Sequence, residues 1–82
     1  MYIHEIAKAR LIKDYTVELI FDNKKKGRVN LEKYIGRGIF KELVDKRKFK
    51  QFRVDPQLGT ICWPNGADIA PDTLYRDVVL GN

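Results

Sequence analysis

Cys62, His4 and the aspartates Asp68 and Asp72 are the side chains here best suited to catalysis or metal binding. A catalytic thiolate needs a base or a cation arranged beside it, and His4 is the one histidine that could serve Cys62. A zinc site wants four ligands, and Cys62 has no second cysteine at ligand spacing. The chain contains no serine, which removes a Ser-His-Asp arrangement. Asp68 and Asp72 stand where helix caps and dipoles use acids without any chemistry. Gly36-Arg37-Gly38 lacks the length and the Lys-Ser/Thr of a phosphate loop and reads as a breaker between two helices. By elimination the residues predict no enzyme, no cofactor and no metal.

Charge is the second candidate for function. The 82 residues carry a net charge of +5, unevenly placed. Residues 24–53 hold twelve of the sixteen Lys and Arg against three acids, a local balance of +9; the remainder holds four bases against eight acids, −4. Lys24, Lys25, Lys26, Arg28, Lys46, Arg47, Lys48, Lys50 and Arg53 could contact phosphates or steer an acidic partner. The bland alternative is a solvated face that keeps a small domain soluble. No aromatic-rich RNA-reading strand accompanies these bases, and the two short helices do not make a helix-turn-helix.

The elements that must position these groups follow from periodicity. At 82 residues the chain is one domain with a single modest core. Residues 3–12 predict a first strand and Lys13-Asp14 a turn. Tyr15, Val17, Leu19 and Phe21 alternate with Thr16, Glu18 and Ile20, the clearest strand pattern present. Residues 22–27 read as a basic loop, and Arg28-Val29 as a short strand. Asn30 caps a brief helix over 31–35. A second helix over 39–46 would set Ile39, Phe40, Leu43 and Val44 on one stripe, with Arg47-Lys48 starting an exit loop. Phe52 and Val54 mark a fourth strand, residues 55–59 a hairpin loop and residues 60–63 a fifth strand. The predicted fold is α+β: a small antiparallel sheet, in the order β-β-β-α-α-β-β-α, with helices packed on one face.

Residues 59–75 organise the rest. They include the only Trp and the only Cys. Pro64 must end the Trp63 strand. Asn65-Gly66 is the strongest turn signal, and one of the two is expected at positive φ. Pro71 suits a first helical position, and with Ala70 as N-cap, Ile69 and Leu74 stand as a hydrophobic staple. Gly81 would stop this helix. Trp63 is expected to anchor the core beneath it.

The run Trp63, Pro64, Asn65, Gly66, Asp68, Pro71, Leu74 and Tyr75 (W-P-N-G-x-D-x-x-P-x-x-L-Y) resembles the end signature of a family of small bacterial proteins known only as a domain of unknown function. Phe21-Asp22, Leu31 to Tyr34, Phe40 to Leu43, and the spacing from Phe49 through Gly59-Thr60-Ile61 to Trp63 also match, so the resemblance spans nearly the whole chain. The family pattern has Asp-Leu where this chain has Asn30-Leu31, and Asp-Gly where it has Asn23-Lys24, a basic loop in place of a glycine hairpin. The resemblance implies a small α+β fold, and members encoded beside another short protein in toxin–antitoxin-like pairs. It implies no activity.

These readings converge on a non-catalytic protein–protein interaction module of a two-gene system, its partner another small protein. The alternative is a nucleic-acid-binding accessory protein using residues 24–53, with Lys24, Lys25, Lys26, Arg28, Lys48 and Arg53 as contacts. The docking surface is expected to be an apolar patch on the second face of the sheet, formed by Ile20, Cys62 and the Ala7–Leu11 parity, with Lys24–Lys26 at its rim. The N-terminus lacks the charged start and apolar core of a signal peptide, and no apolar run approaches a membrane span. A soluble cytoplasmic protein is therefore expected.

Overall fold

Strand β2 (Thr16–Phe21) shows why the sheet forms where it does. Val17, Leu19 and Phe21 are buried, while Thr16, Glu18 and Ile20 point to the other side. The computed structural model describes residues 4–80; the start of the expected first strand and the helix stop at Gly81 lie outside them. Strand β2 is central: it pairs antiparallel with β1 (Ile6–Lys13) on one side and with β3 (Lys26–Asn30) on the other, giving the order β1-β2-β3. A separate antiparallel pair, β4 (Arg53–Asp55) with β5 (Thr60–Cys62), completes the strands. The fold is α+β with antiparallel sheets, as the sequence predicts, its five strands grouped as three and two.

The register of β1 departs from simple alternation. Ile6 stands opposite Phe21, but the next pair is Lys8 with Ile20, so Ala7 bulges out. Beyond the bulge Ala9 faces Leu19 and Leu11 faces Val17. Ile6, Ala9 and Leu11 therefore share the core face, and Lys8 and Arg10 point away from it. This overturns the apolar second face expected from Ala7, Ala9 and Leu11, because one extra residue flips the parity of everything after it. Cys62 does not reach that face either. It is 7% exposed, in a strand buried on both sides.

Between β3 and β4 the backbone winds tightly. Asn30 caps a 3-10 turn over Leu31–Tyr34, its side chain accepting from the Glu32 N–H at 2.9 Å. The segment Gly38–Val44 is also 3-10. Three residues per turn place Phe40 and Leu43 together on the inner side. Ile39 and Val44 are left 50% and 54% exposed, so the expected four-residue stripe does not exist. Arg47-Lys48 is no exit loop but part of a single helical turn, α1 (Lys46–Phe49), whose Asp45 N-cap accepts from the Arg47 N–H. That turn delivers Phe49, fully buried, to the core.

Trp63 is 3% exposed, and its indole N–H donates to the Phe49 carbonyl at 2.8 Å. The rings of Phe49, Phe40 and Phe52 lie 5.7, 6.1 and 6.4 Å from it. It thus anchors the core under α1 and the 3-10 segment rather than under the last helix. That helix, α2 (Pro71–Leu80), opens on the predicted staple, with Ile69 and Leu74 both buried. It crosses β3 at Gly27, where a Cβ would lie 2.5 Å from Val78 Cγ1. Its buried Asp77 accepts the Tyr34 hydroxyl hydrogen bond and takes Lys33 Nζ at 3.1 Å. No helix among the described residues is long and apolar enough to cross a membrane.

Two outcomes are expected of the α2 contact. Gly27→Ala should destabilise the fold by about 1–3 kcal/mol through overpacking, and Val78→Ala in the same chain should return part of that loss. Denaturant midpoints around the double-mutant cycle check it; strictly additive costs would show that the two residues do not meet. Burial, then the Asp77 hydrogen bond, push the Tyr34 hydroxyl up from 10.0 to about 12. A raised folded-state value means this contribution is complete below pH 10 and lost as pH climbs towards 12. Stability measured over that window should fall more steeply than in Tyr34→Phe, and parallel curves would refute the linkage.

Candidate functional site

The face of the three-stranded sheet turned away from the core carries five bases and one acid in ordered rows. The register sets its rows: Arg10, Glu18 and Arg28 across the middle, Lys8, Ile20 and Lys26 on one side, and Lys13, Thr16 and Asn30 on the other. All five bases are exposed and Glu18 is the single acid. Arg10 Nη2 donates to Glu18 Oε1 at 3.0 Å, and Arg28 Nε lies 3.6 Å from Oε2. The Arg10 hydrogen bond holds the Glu18 carboxyl below its usual value against the opposing effect of burial. The Glu18 side chain is only 11% exposed, whereas Arg10 and Arg28 are 68% and 60% exposed. Beside these rows a shallow groove of about 480 Å³ is lined by Lys8, Ala9, Arg10, Glu18, Ile20 and Val54 of β4.

The sequence-predicted contacts divide between this face and other places. Lys26 is the first residue of β3 rather than part of a loop, and Arg28 follows two positions on, so both join the face. Lys24 and Lys25 form the adjoining β2–β3 turn, with Lys24 at φ +71° and the Asn23 side chain accepting from the Lys25 N–H. Lys48 sits on α1, 3.9 Å from Glu42, and Arg53 on β4; neither belongs to the rows just described. Lys8, Arg10 and Lys13 were missed because they lie outside residues 24–53. Their signal was legible: Lys8-Ala9-Arg10-Leu11 alternates base and apolar residue just as Lys26-Gly27-Arg28-Val29 does.

The signature residues have structural partners. Gly66 takes φ +92° and donates its N–H to the Trp63 carbonyl, and Trp63 donates its own to Ala67. The Asn65 side chain accepts from the Ala67 N–H at 3.0 Å and donates to the Ile39 carbonyl at 2.9 Å. Pro64 is exposed, Asp68 forms a backbone bridge to Cys62, and Pro71 opens α2. Tyr75 stacks on His4 at 3.8 Å, meets Phe21 edge-on at 5.0 Å, and its hydroxyl accepts from Asn23. Among the described residues no group of three or more His, Cys, Asp and Glu could hold a metal ion.

Fold and face together define a small α+β domain with an open, cationic antiparallel sheet. The family model described as "Protein of unknown function (DUF2442)" matches residues 6–79, and the chain belongs to that family. No curated protein and no solved structure matches it.

Lys24 takes φ +71°, a region that an L side chain rarely adopts and glycine adopts freely. Lys24→Gly should therefore raise stability by up to about 1 kcal/mol. Urea unfolding at constant slope measures it, and a lowered midpoint would mean that the lysine side chain itself stabilises the turn.

Proposed function

We propose that the protein is a non-catalytic interaction module, one half of a two-gene, toxin–antitoxin-like pair, that docks a small acidic partner protein through the open face of its sheet. One observation carries the reading: five exposed bases and one acid share a face of the sheet. Only Arg10 and Arg28 of the five have an ion-pair partner among the described residues. Exposed ion pairs contribute ~0–1 kcal/mol, so stability does not account for so many bases on one side. A field of one sign does account for them if it steers an oppositely charged surface into register. Of the candidate chemical groups, Cys62 is buried and His4 is stacked on Tyr75. An apolar docking face, the form this module was first expected to take, gives way to a charged one.

Nucleic acid is the second reading, favoured by Lys24 and Lys25, which extend the basic surface at the turn. The sheet face itself holds no aromatic residue on which a base could stack, and an arginine-bound glutamate occupies its centre. Both features favour a protein.

Co-expression with the product of the neighbouring gene tests the proposal. The two proteins should co-purify near 0.01 M salt and separate towards 1 M, about the range over which the screening length falls from ~30 to ~3 Å. Replacing Lys8, Arg10 and Lys26 together by Glu should abolish the complex. A complex that survives both treatments would remove the sheet face from the interaction. Binding of duplex DNA or RNA with a steep salt slope, and of no protein, would establish the second reading instead.

A further inference from the structure

We infer that the groove beside Ile20 recognises an extended acidic segment carrying one large apolar anchor residue. The inference rests on the docking face proposed above and specifies what the partner must present to it. The groove encloses about 480 Å³, within the ~300–1,000 Å³ typical of ligand sites. Its apolar side chains are Ile20 of the outer face and Val54 of β4, both half-buried, with Ala9 of the β1 edge also lining it, and its charged lining is Lys8, Arg10 and Glu18. Ile20 lies between Lys8 and Lys26 in one row, with Arg10, Glu18 and Arg28 in the next. An apolar centre ringed by charge is the anatomy of an interface hot spot: a buried anchor supplies affinity while the rim excludes water and selects charge.

The cations around this centre are prepared for carboxylates. Glu18 accepts a hydrogen bond from Arg10 and so orients its guanidinium, and it lies 3.6 Å from Arg28 Nε as an ion pair without a hydrogen bond. Each guanidinium has five N–H donors, which leaves a free edge for a bidentate carboxylate. Lys8 and Lys26 make no ion pair among the described residues. Along a strand, residues two apart are separated by roughly 6.6–6.8 Å, so the two rows match acids at alternate positions of an extended chain. Phosphate backbones offer no residue to fill the apolar centre.

Fluorescence polarisation of the full chain with three labelled probes tests this. The probes are an acidic peptide alternating Glu and Asp around a central Leu, the same peptide with Ala at the centre, and a duplex DNA of similar charge. The Leu peptide should bind about tenfold tighter than the Ala peptide, the effect of burying most of one aliphatic side chain. Ile20→Thr, which keeps the β-branch, should erase that ratio and leave Ala-peptide binding unchanged. Lys8→Gln with Lys26→Gln should weaken both peptides equally and preserve the ratio. Equal binding of the two peptides would overturn the anchor while leaving the docking face standing. Duplex DNA bound tighter than either peptide would overturn both, as would loss of the Leu preference in the lysine variants but not in Ile20→Thr.

Discussion

Side chains on a strand alternate, so Ile6 and Ala9 can share the core face of β1 only if one residue between them drops out of register. Ala7 is that residue. Without the bulge, seating Ala9 and Leu11 over Leu19 and Val17 would turn Ile6 outward, and seating Ile6 over Phe21 would drive Lys8 and Arg10 into the core. Burying an unpaired lysine or arginine costs several kcal/mol, far more than a local kink in an edge strand. The bulge satisfies both ends of β1 at once. The same step collects Lys8 and Arg10 beside Glu18, Lys26 and Arg28, so the charged face and the apolar core are consequences of one backbone irregularity. A second shift, between Leu11 and Lys13, aligns Lys13 with Thr16 and extends the outer face to the end of the strand.

The other organising contact is the Trp63 indole on the Phe49 carbonyl. A buried indole N–H needs an acceptor, and a four-residue helix such as α1 leaves carbonyls without intrahelical partners. The Phe49 carbonyl, at the end of α1, accepts the indole N–H alongside the Phe52 N–H at 3.4 Å. From Trp63 the signature loop then ties the parts of the fold together: Asn65 holds the Ile39 carbonyl of the 3-10 segment, and the Ile69 carbonyl accepts the Thr60 hydroxyl of β5 at 2.6 Å. Tyr75, at the far end of the signature, packs on Phe21 of β2. The spacing of that motif is thus the spacing of a clasp between the hairpin, the 3-10 segment and the main sheet.

Where local chemistry alone decides, the sequence could be read. The alternation of β2, the Asn30 cap, the Gly66 turn, and the Ile69–Leu74 staple each depend on neighbours within five residues, and each appears in the structure. What escaped depends on distant packing. A helical repeat fitted through residues 39–46 assumes 3.6 residues per turn, but two glycines at positive φ, Gly36 and Gly38, lead into a tighter spiral that turns Ile39 and Val44 outward. The bulge at Ala7 has no glycine to announce it. Cys62 was placed on an open face by parity, yet a two-stranded pair packed against β1 buries both of its sides. The candidate site failed for the same reason. A window of sequence groups bases that are neighbours in the chain, whereas the sheet groups bases that are neighbours across strands.

That difference changes what the charge means. Read along the chain, the basic run of residues 24–53 looks like one continuous cation. In the fold much of it is dispersed into separate ion pairs: Lys33 on Asp77, Lys46 on Asp14, Arg47 on Asp45 and Lys48 near Glu42. Three of these bases, Lys46, Arg47 and Lys48, are neighbours on α1, but each has an acid within 4 Å, so their charge is locally compensated. The excess that remains coherent is assembled from two distant segments, Lys8–Lys13 and Lys26–Arg28, that meet only because β2 lies between them. Glu18 stands at the middle of that assembly and binds arginines from both sides. Without it two guanidiniums would flank an empty position and repel one another; with it they are held in place and still carry a net positive charge. A lone acid in a basic face is thus what gives that face a fixed arrangement of charge.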